Sequence, residues 1–177
     1  MRKTINNINE KERKKITNFL KINDNEIAVP VSQLPGGIEG TINLISEKGK
    51  IIISEKGNEI IGILLMTFGE PSKNFTNIEI GYLYLAIFNK DNRGSKEMLS
   101  GVFQKIIEET SKKGIKIIRF KADAAEKNTN KLYSKFANLI GHEKNTQGIE
   151  CNLYEVEVDK LKTSFFDNGE FRPLLKS

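Results

Sequence analysis

Between residues 77 and 123 the chain reads as a strand, a helix and a strand, and that step limits the fold more than any other feature. Residues 77–88, NIEIGYLYLAIF, are apolar and rich in β-branched and aromatic side chains. Leu99, Val102, Phe103, Ile106 and Ile107 then form one apolar stripe at helical spacing, and the helix closes at Lys112-Lys113-Gly114. Residues 115–123, IKIIRFKAD, read as the second strand. Strands joined through a helix run parallel, by a right-handed crossover, and leave the helix packed on the sheet.

The flanking segments make the sheet mixed. A first helix is expected over residues 9–21, with Ile16, Phe19 and Leu20 inward and Asn9 as its cap. Two prolines and a glycine pair interrupt residues 21–37, and Ile38, Ile42 and Ile45 mark a short second helix ending near Lys48-Gly49. Two apolar runs around Glu55-Lys56-Gly57-Asn58 signal a hairpin, and its second strand is expected to pair antiparallel with residues 77–88. After residue 123 a helix is expected over about 125–140, with Leu132, Tyr133, Phe136 and Ile140 inward, followed by a last strand at 150–158. Residues 159–177 form an extension whose Phe165, Phe166, Phe171, Leu174 and Leu175 suggest docking rather than a free tail. The order α-α-β-β-β-α-β-α-β gives an α/β sandwich around one mixed sheet. A single domain over 1–177, with its core at about 8–158, is the expectation.

Composition narrows the function classes. A net charge of +5 comes mainly from lysines interleaved with glutamates, which reads as a solvated surface with a weak pull on anionic ligands. There is no long basic block or nucleic-acid-binding motif, so no nucleic-acid partner is expected. No apolar run approaches the ~20 residues that span a bilayer, and no secretory h-region follows the basic N-terminus. The expectation is no membrane association and a cytoplasmic location. The lone Cys151 and single His142 supply neither a disulfide nor a zinc ligand set, so no metal is expected. His142 reads as a surface residue in a turn after a helix, and Cys151 as a small buried one.

Residues 88–101, FNKDNRGSKEMLSG, join the first strand of the crossover to its helix. A helix N-terminus with nearby glycine presents converging N–H groups and a positive dipole end to a phosphate. In order and element length, residues 8–158 resemble the GNAT superfamily of N-acetyltransferases. In that family the strand is followed by a pyrophosphate loop of the pattern Gln/Arg-x-x-Gly-x-Gly/Ala, matched here from Arg93 in RGSKEM. A second signature, an Asn before an apolar–Tyr pair, is matched by NTNKLY. The loop is degenerate: Arg93 and Gly94 fit, while Lys96 and Met98 replace glycine and a small residue. Lys96 could instead contact a phosphate by charge.

The resemblance implies a GNAT-like three-layer sandwich whose central sheet is mixed, mostly antiparallel, with a V-shaped splay between its two parallel central strands. It implies acetyl-CoA, or another acyl-CoA, as co-substrate and an amine on a small molecule, peptide or protein as acceptor, with direct transfer in a ternary complex. Pantetheine would bond along Ala86, Ile87 and Phe88; Arg93, Gly94, Ser95 and Lys96 would meet the pyrophosphate; Asn128 and Asn130 would assist the cofactor. Tyr133 would protonate the leaving thiolate and Glu79, on the strand, would act as base. Tyr133 reads equally well as a core residue, and Glu79 as a solvent-facing one. The alternative is a GNAT-fold module that has lost catalysis and binds an acyl-CoA, a peptide or a protein partner. The C-terminal extension could add an interface, and with it a homodimer.

Overall fold

The computed structural model describes residues 2–5, 8–27, 29–92, 96–145, 147–167 and 170–171. Its elements are β1 (Arg2–Ile5), α1 (Glu10–Asn23), α2 (Gly37–Lys48), β2 (Gly49–Lys56), β3 (Glu59–Phe68), β4 (Ile80–Phe88), α3 (Lys96–Lys112), β5 (Ile117–Asp123), α4 (Lys127–Tyr133), β6 (Asn138–Lys144), β7 (Glu150–Glu157), α5 (Val158–Phe165), β8 (Phe166–Asp167) and β9 (Glu170–Phe171). A seven-stranded sheet runs in the order β1-β2-β3-β4-β5-β7-β6, and β8-β9 form a separate ribbon. Only β4 and β5 pair in parallel; every other neighbouring pair in the sheet is antiparallel.

The period-two alternation of the strands sorts two cores onto opposite faces. On β2, Ile51 and Ile53 meet Ile16, Leu20, Ile42 and Ile45 of α1 and α2. Ile52 points the other way, into a cluster with Val102, Phe103 and Ile106 of α3 and Leu161 and Phe165 of α5. The result is helix, sheet, helix. α1 starts at a capping box: Glu12 N–H donates to Asn9 Oδ1 at 2.9 Å, and the Asn9 N–H donates to the Glu12 carboxylate at 3.4 Å.

Four expectations need correction. β1 adds a strand before residue 8; four residues, two of them charged, are too few for a period to show. The helix expected over 125–140 ends at Tyr133, and residues 138–144 are β6, antiparallel to β7. Leu132, Tyr133 and Phe136 do face the core. Ile140 does not: it is the extra residue of a bulge between Leu139 and Gly141, 43% exposed on an edge strand. Hairpin pairing with β7 overrides the helical spacing that these four apolar positions share. The strand expected from residue 77 starts at Ile80, with residues 78 and 79 in a turn. The extension does dock, through α5: Phe165 is buried and stacks on Phe103 at a centroid distance of 4.0 Å. The side chain of Phe171, and residues 174 and 175, lie outside the described residues.

Candidate active site

β4 and β5 pair over only part of their length. The parallel ladder joins Ile80–Leu83 to Ile117–Phe120 and stops. Beyond it β4 stays paired to β3 through Leu85–Phe88, while β5 stays paired to β7 through Lys121–Asp123. The two strands therefore part as a V, held apart by their outer neighbours. A bulge on β4 sits at the parting: Leu65 pairs with Leu85 and Met66 with Leu83, leaving Tyr84 as the extra residue. Tyr84 and Leu85 consequently both pack toward α1 and α2, and parity reverses beyond them. Leu83, Ala86 and Phe88 face the α3 side, where they line a cavity of about 280 Å³ between β4, α3 and α4.

The sequence-derived candidates divide sharply. Ala86, Ile87 and Phe88 all line this cavity at the open edge of β4. The Phe88 ring lies over Gly62 of β3, where a Cβ would come within 2.3 Å of its Cδ1. Tyr133, the last residue of α4, lines the cavity too. Its ring meets Phe120 edge-on at 4.6 Å and Tyr154 at 5.6 Å. Burial, and then the neighbouring Tyr154, push its hydroxyl above the ordinary phenol range, so it holds its proton at neutral pH. Its hydroxyl makes no hydrogen bond to another described residue.

Asn130 is not placed to hold a cofactor with its side chain. Its amide nitrogen donates to the Asp123 carbonyl at 2.7 Å and the Glu126 carbonyl at 2.9 Å; its oxygen accepts from Asn152 Nδ2 at 2.7 Å and Tyr154 Oη at 2.8 Å. Two donors and two acceptor sites are thus engaged within the protein. Asn130 ties the start of α4 to β5 and β7. Asn128 is exposed on α4, and its neighbour Thr129 is the residue that reaches the cavity. Glu79 is exposed in the turn before β4, not on the strand. Phe88 is nine residues on, or about 30 Å at the strand rise. Arg93, Gly94 and Ser95 lie outside the described residues, as does the side chain of Lys96, whose backbone opens α3. Met98 is in the first turn of α3 and buried in the core, so its misfit to a loop pattern follows from its being a packing residue.

Reading the residues alone overlooks two features of the site. The Tyr84 bulge depends on register with β3, which no single strand reveals. The other is a charged ladder on the face of β5 opposite the cavity, where α1 and α2 do not reach. There Arg119 bridges buried Glu70 at 2.9 Å and Glu155 at 2.7 Å, and Lys121 pairs with Glu143. Lys121 Nζ also stands 5.7 Å from the Tyr82 ring centroid, and burial lowers its pKa. Alternation in residues 117–123 carried that signal. His142 is exposed but lies on β6, with Nδ1 2.8 Å from Asn152 Oδ1, and Cys151 is buried on β7. Among the described residues no group of three or more His, Cys, Asp or Glu side chains could hold a metal, and no helix is long and apolar enough to cross a membrane.

No family model and no curated protein matches the sequence. Solved structures do. An aminoglycoside 6'-N-acetyltransferase from Enterococcus faecium superposes with a TM-score of 0.65 at 9% identity, covering 89% of this chain and 97% of its own. A ribosomal-protein alanine N-acetyltransferase from Escherichia coli gives 0.63 at 11% identity, covering 89% and 94%. An acetyltransferase of the GNAT family from Streptococcus pneumoniae gives 0.62 at 17% identity, covering 89% and 99%. The chain has the GNAT fold. The parted β4–β5 pair and the bulge on β4 are the V-shaped splay of that fold, realised here by Ile80–Phe88 and Ile117–Asp123.

Proposed function

We propose that the chain is an acyl-CoA-dependent N-acyltransferase that passes a short acyl group directly to an amine. The observation that carries this reading is the parting of β4 from β5 above Leu83 and Phe120, with a cavity in the gap and Tyr133 on its wall. An extended pantetheine arm fits such a gap as an added strand, its amides bonding to the open side of β4 near Ala86, Ile87 and Phe88. The apolar wall and open strand edge suit that arm. The start of α3, with Arg93, Gly94, Ser95 and Lys96 before and at its first turn, would take the pyrophosphate through N–H groups and charge.

The acceptor nitrogen attacks the thioester carbonyl, the C–N bond forms, and collapse breaks the C–S bond. Backbone N–H groups of β4 near the bulge would stabilise the oxyanion. Tyr133 would give its proton to the departing thiolate, and a protonation state held by burial suits that role. The ammonium proton leaves through water, because Glu79 stands at the far end of β4. The acceptor would approach from the opposite face of the sheet, past Tyr84 and the charged ladder.

Titration with CoA and acetyl-CoA, together with thiol release in the presence of a panel of amines, tests the proposal. Saturable binding with amine-dependent release of free CoA is expected. Binding with no thioester cleavage would leave the non-catalytic acyl-CoA-binding module. No binding of either molecule would overturn both.

A further inference from the structure

Tyr133 stands at the end of α4, a short helix with little apolar anchorage. Leu132 and Tyr133 touch the core, yet none of the seven residues of α4 is fully buried. Its attachment to the sheet is polar and passes through one side chain. The Asn130 amide nitrogen donates to the Asp123 carbonyl at 2.7 Å, where β5 ends, and to the Glu126 carbonyl at 2.9 Å, at the N-cap of α4. Carbonyls only accept, so these two fix which way the amide faces. Its oxygen is then turned to β7, where it accepts from Asn152 Nδ2 and Tyr154 Oη. The same sense continues outward: Asn152 Oδ1 faces His142 Nδ1 on β6 at 2.8 Å, so that ring nitrogen is the donor. Asn130 and Tyr133, three residues apart, share a face of α4.

We infer that Asn130 is the positioning residue for Tyr133, and that it decides which of two neighbouring phenols serves as the acid. This rests on the acyltransferase reading above. The rings of Tyr133 and Tyr154 lie 5.6 Å apart. The Tyr154 hydroxyl is committed to Asn130 at 2.8 Å. Tyr133 lines the cavity with its hydroxyl bonded to no other described residue. One amide thus withdraws the first phenol and, through α4, aims the second. The chemistry is sensitive to such aim: a misplacement of about 1 Å can cost roughly a hundredfold in rate. The four bonds of Asn130 reach β5, the N-cap of α4 and β7, so losing them frees the helix end that carries Tyr133 without touching the acyl-CoA wall at Ala86, Ile87 and Phe88. The reaction is unchanged: Tyr133 gives its proton to the thiolate as the C–S bond breaks, and water restores it.

The test is a double-mutant cycle on the full chain. Turnover with acetyl-CoA and an amine that supports thiol release is measured beside calorimetric acetyl-CoA affinity, for Asn130→Ala alone and combined with Tyr133→Phe. Asn130→Ala should lower turnover about tenfold, keep acetyl-CoA affinity within about twofold, and cost less than about twofold once Tyr133 is already Phe. A general loss of stability would act equally in both backgrounds. Equal losses in the two, unchanged turnover in Asn130→Ala, or affinity that falls with turnover would each overturn the inference and leave the acyltransferase reading standing. Tyr154→Phe should cost no more than about threefold, since it removes one of four bonds; a loss as large as that of Tyr133→Phe would make Tyr154 the acid and overturn the inference too. Should Asn130→Ala fail to fold, Asn152→Ala, which removes one donor from the same oxygen, is put through the same cycle and judged by the same non-additivity. If the unaltered protein binds no CoA species or releases no thiol, the acyltransferase reading fails and takes this inference with it.

Discussion

The lower and upper halves of β4 are treated alike on one side and differently on the other. Toward β3, both Ile80–Leu83 and Leu85–Phe88 lie in a paired strand. Toward β5, the first half is laddered and the second is not. The lower half holds two helix layers on one continuous sheet. The upper half presents strand edge to a cavity. A single strand can thus hold the sheet along one edge and line a cavity along the other because its two edges are decoupled, with the Tyr84 bulge marking the change.

The largest expected effect belongs to the closed half. Met66, fully buried opposite Leu83, packs with α3 and the sheet. Met66→Ala should lower unfolding free energy by about 2–5 kcal/mol in urea titration while the remaining folded protein keeps its CoA affinity. The open half should behave in reverse. Tyr133→Phe should cut turnover roughly 100-fold, about 2.7 kcal/mol in the barrier, with acyl-CoA affinity little changed; full turnover would remove Tyr133 from the chemistry. Ala86→Glu, on an exposed position of the free edge, should weaken CoA binding more than tenfold and shift stability by no more than about 0.5 kcal/mol. A large loss of stability there would mean the upper half is as structural as the lower.

The smallest effect is a matter of pH. Burial raises the pKa of both Tyr82, in the closed half, and Tyr84, at the bulge; for Tyr82 nearby Glu70 adds to it. A phenol whose folded pKa is raised contributes stability that is fully present below pH 10 and is lost as pH climbs through the folded value. Stability measured at pH 8 and pH 10.5 should therefore drop less in Tyr82→Phe than in the parent protein. Tyr84→Phe, whose hydroxyl is less buried, should flatten the drop to a smaller extent.

Most of the frame is legible in the residues because strong periodicities wrote it. The stripe of α3, the hairpin at Gly57-Asn58 and the alternation of β7 are local signals, and each became the expected element. The failures fall where a distant partner decides. β6 exists because β7 offers it a ladder, so Ile140 lies on an exposed edge rather than a helix face. The site shows the same division. Ala86, Ile87, Phe88 and Tyr133 are candidates through the family resemblance, and all four line the cavity. The four hydrogen-bond partners of the Asn130 side chain come from β5, the loop after it and β7, none of which is visible in NTNKLY. Glu79 falls off the strand because residues 78 and 79 form a turn before β4.

Gly62 gives the architecture one more consequence. The Phe88 ring rests in the space a side chain at Gly62 would fill, and Phe88 lines the cavity. The place of that ring therefore depends on a position on the neighbouring strand whose contribution is to be empty. Any side chain acquired at 62 would displace that ring and so reshape the cavity wall from a residue that does not itself line it.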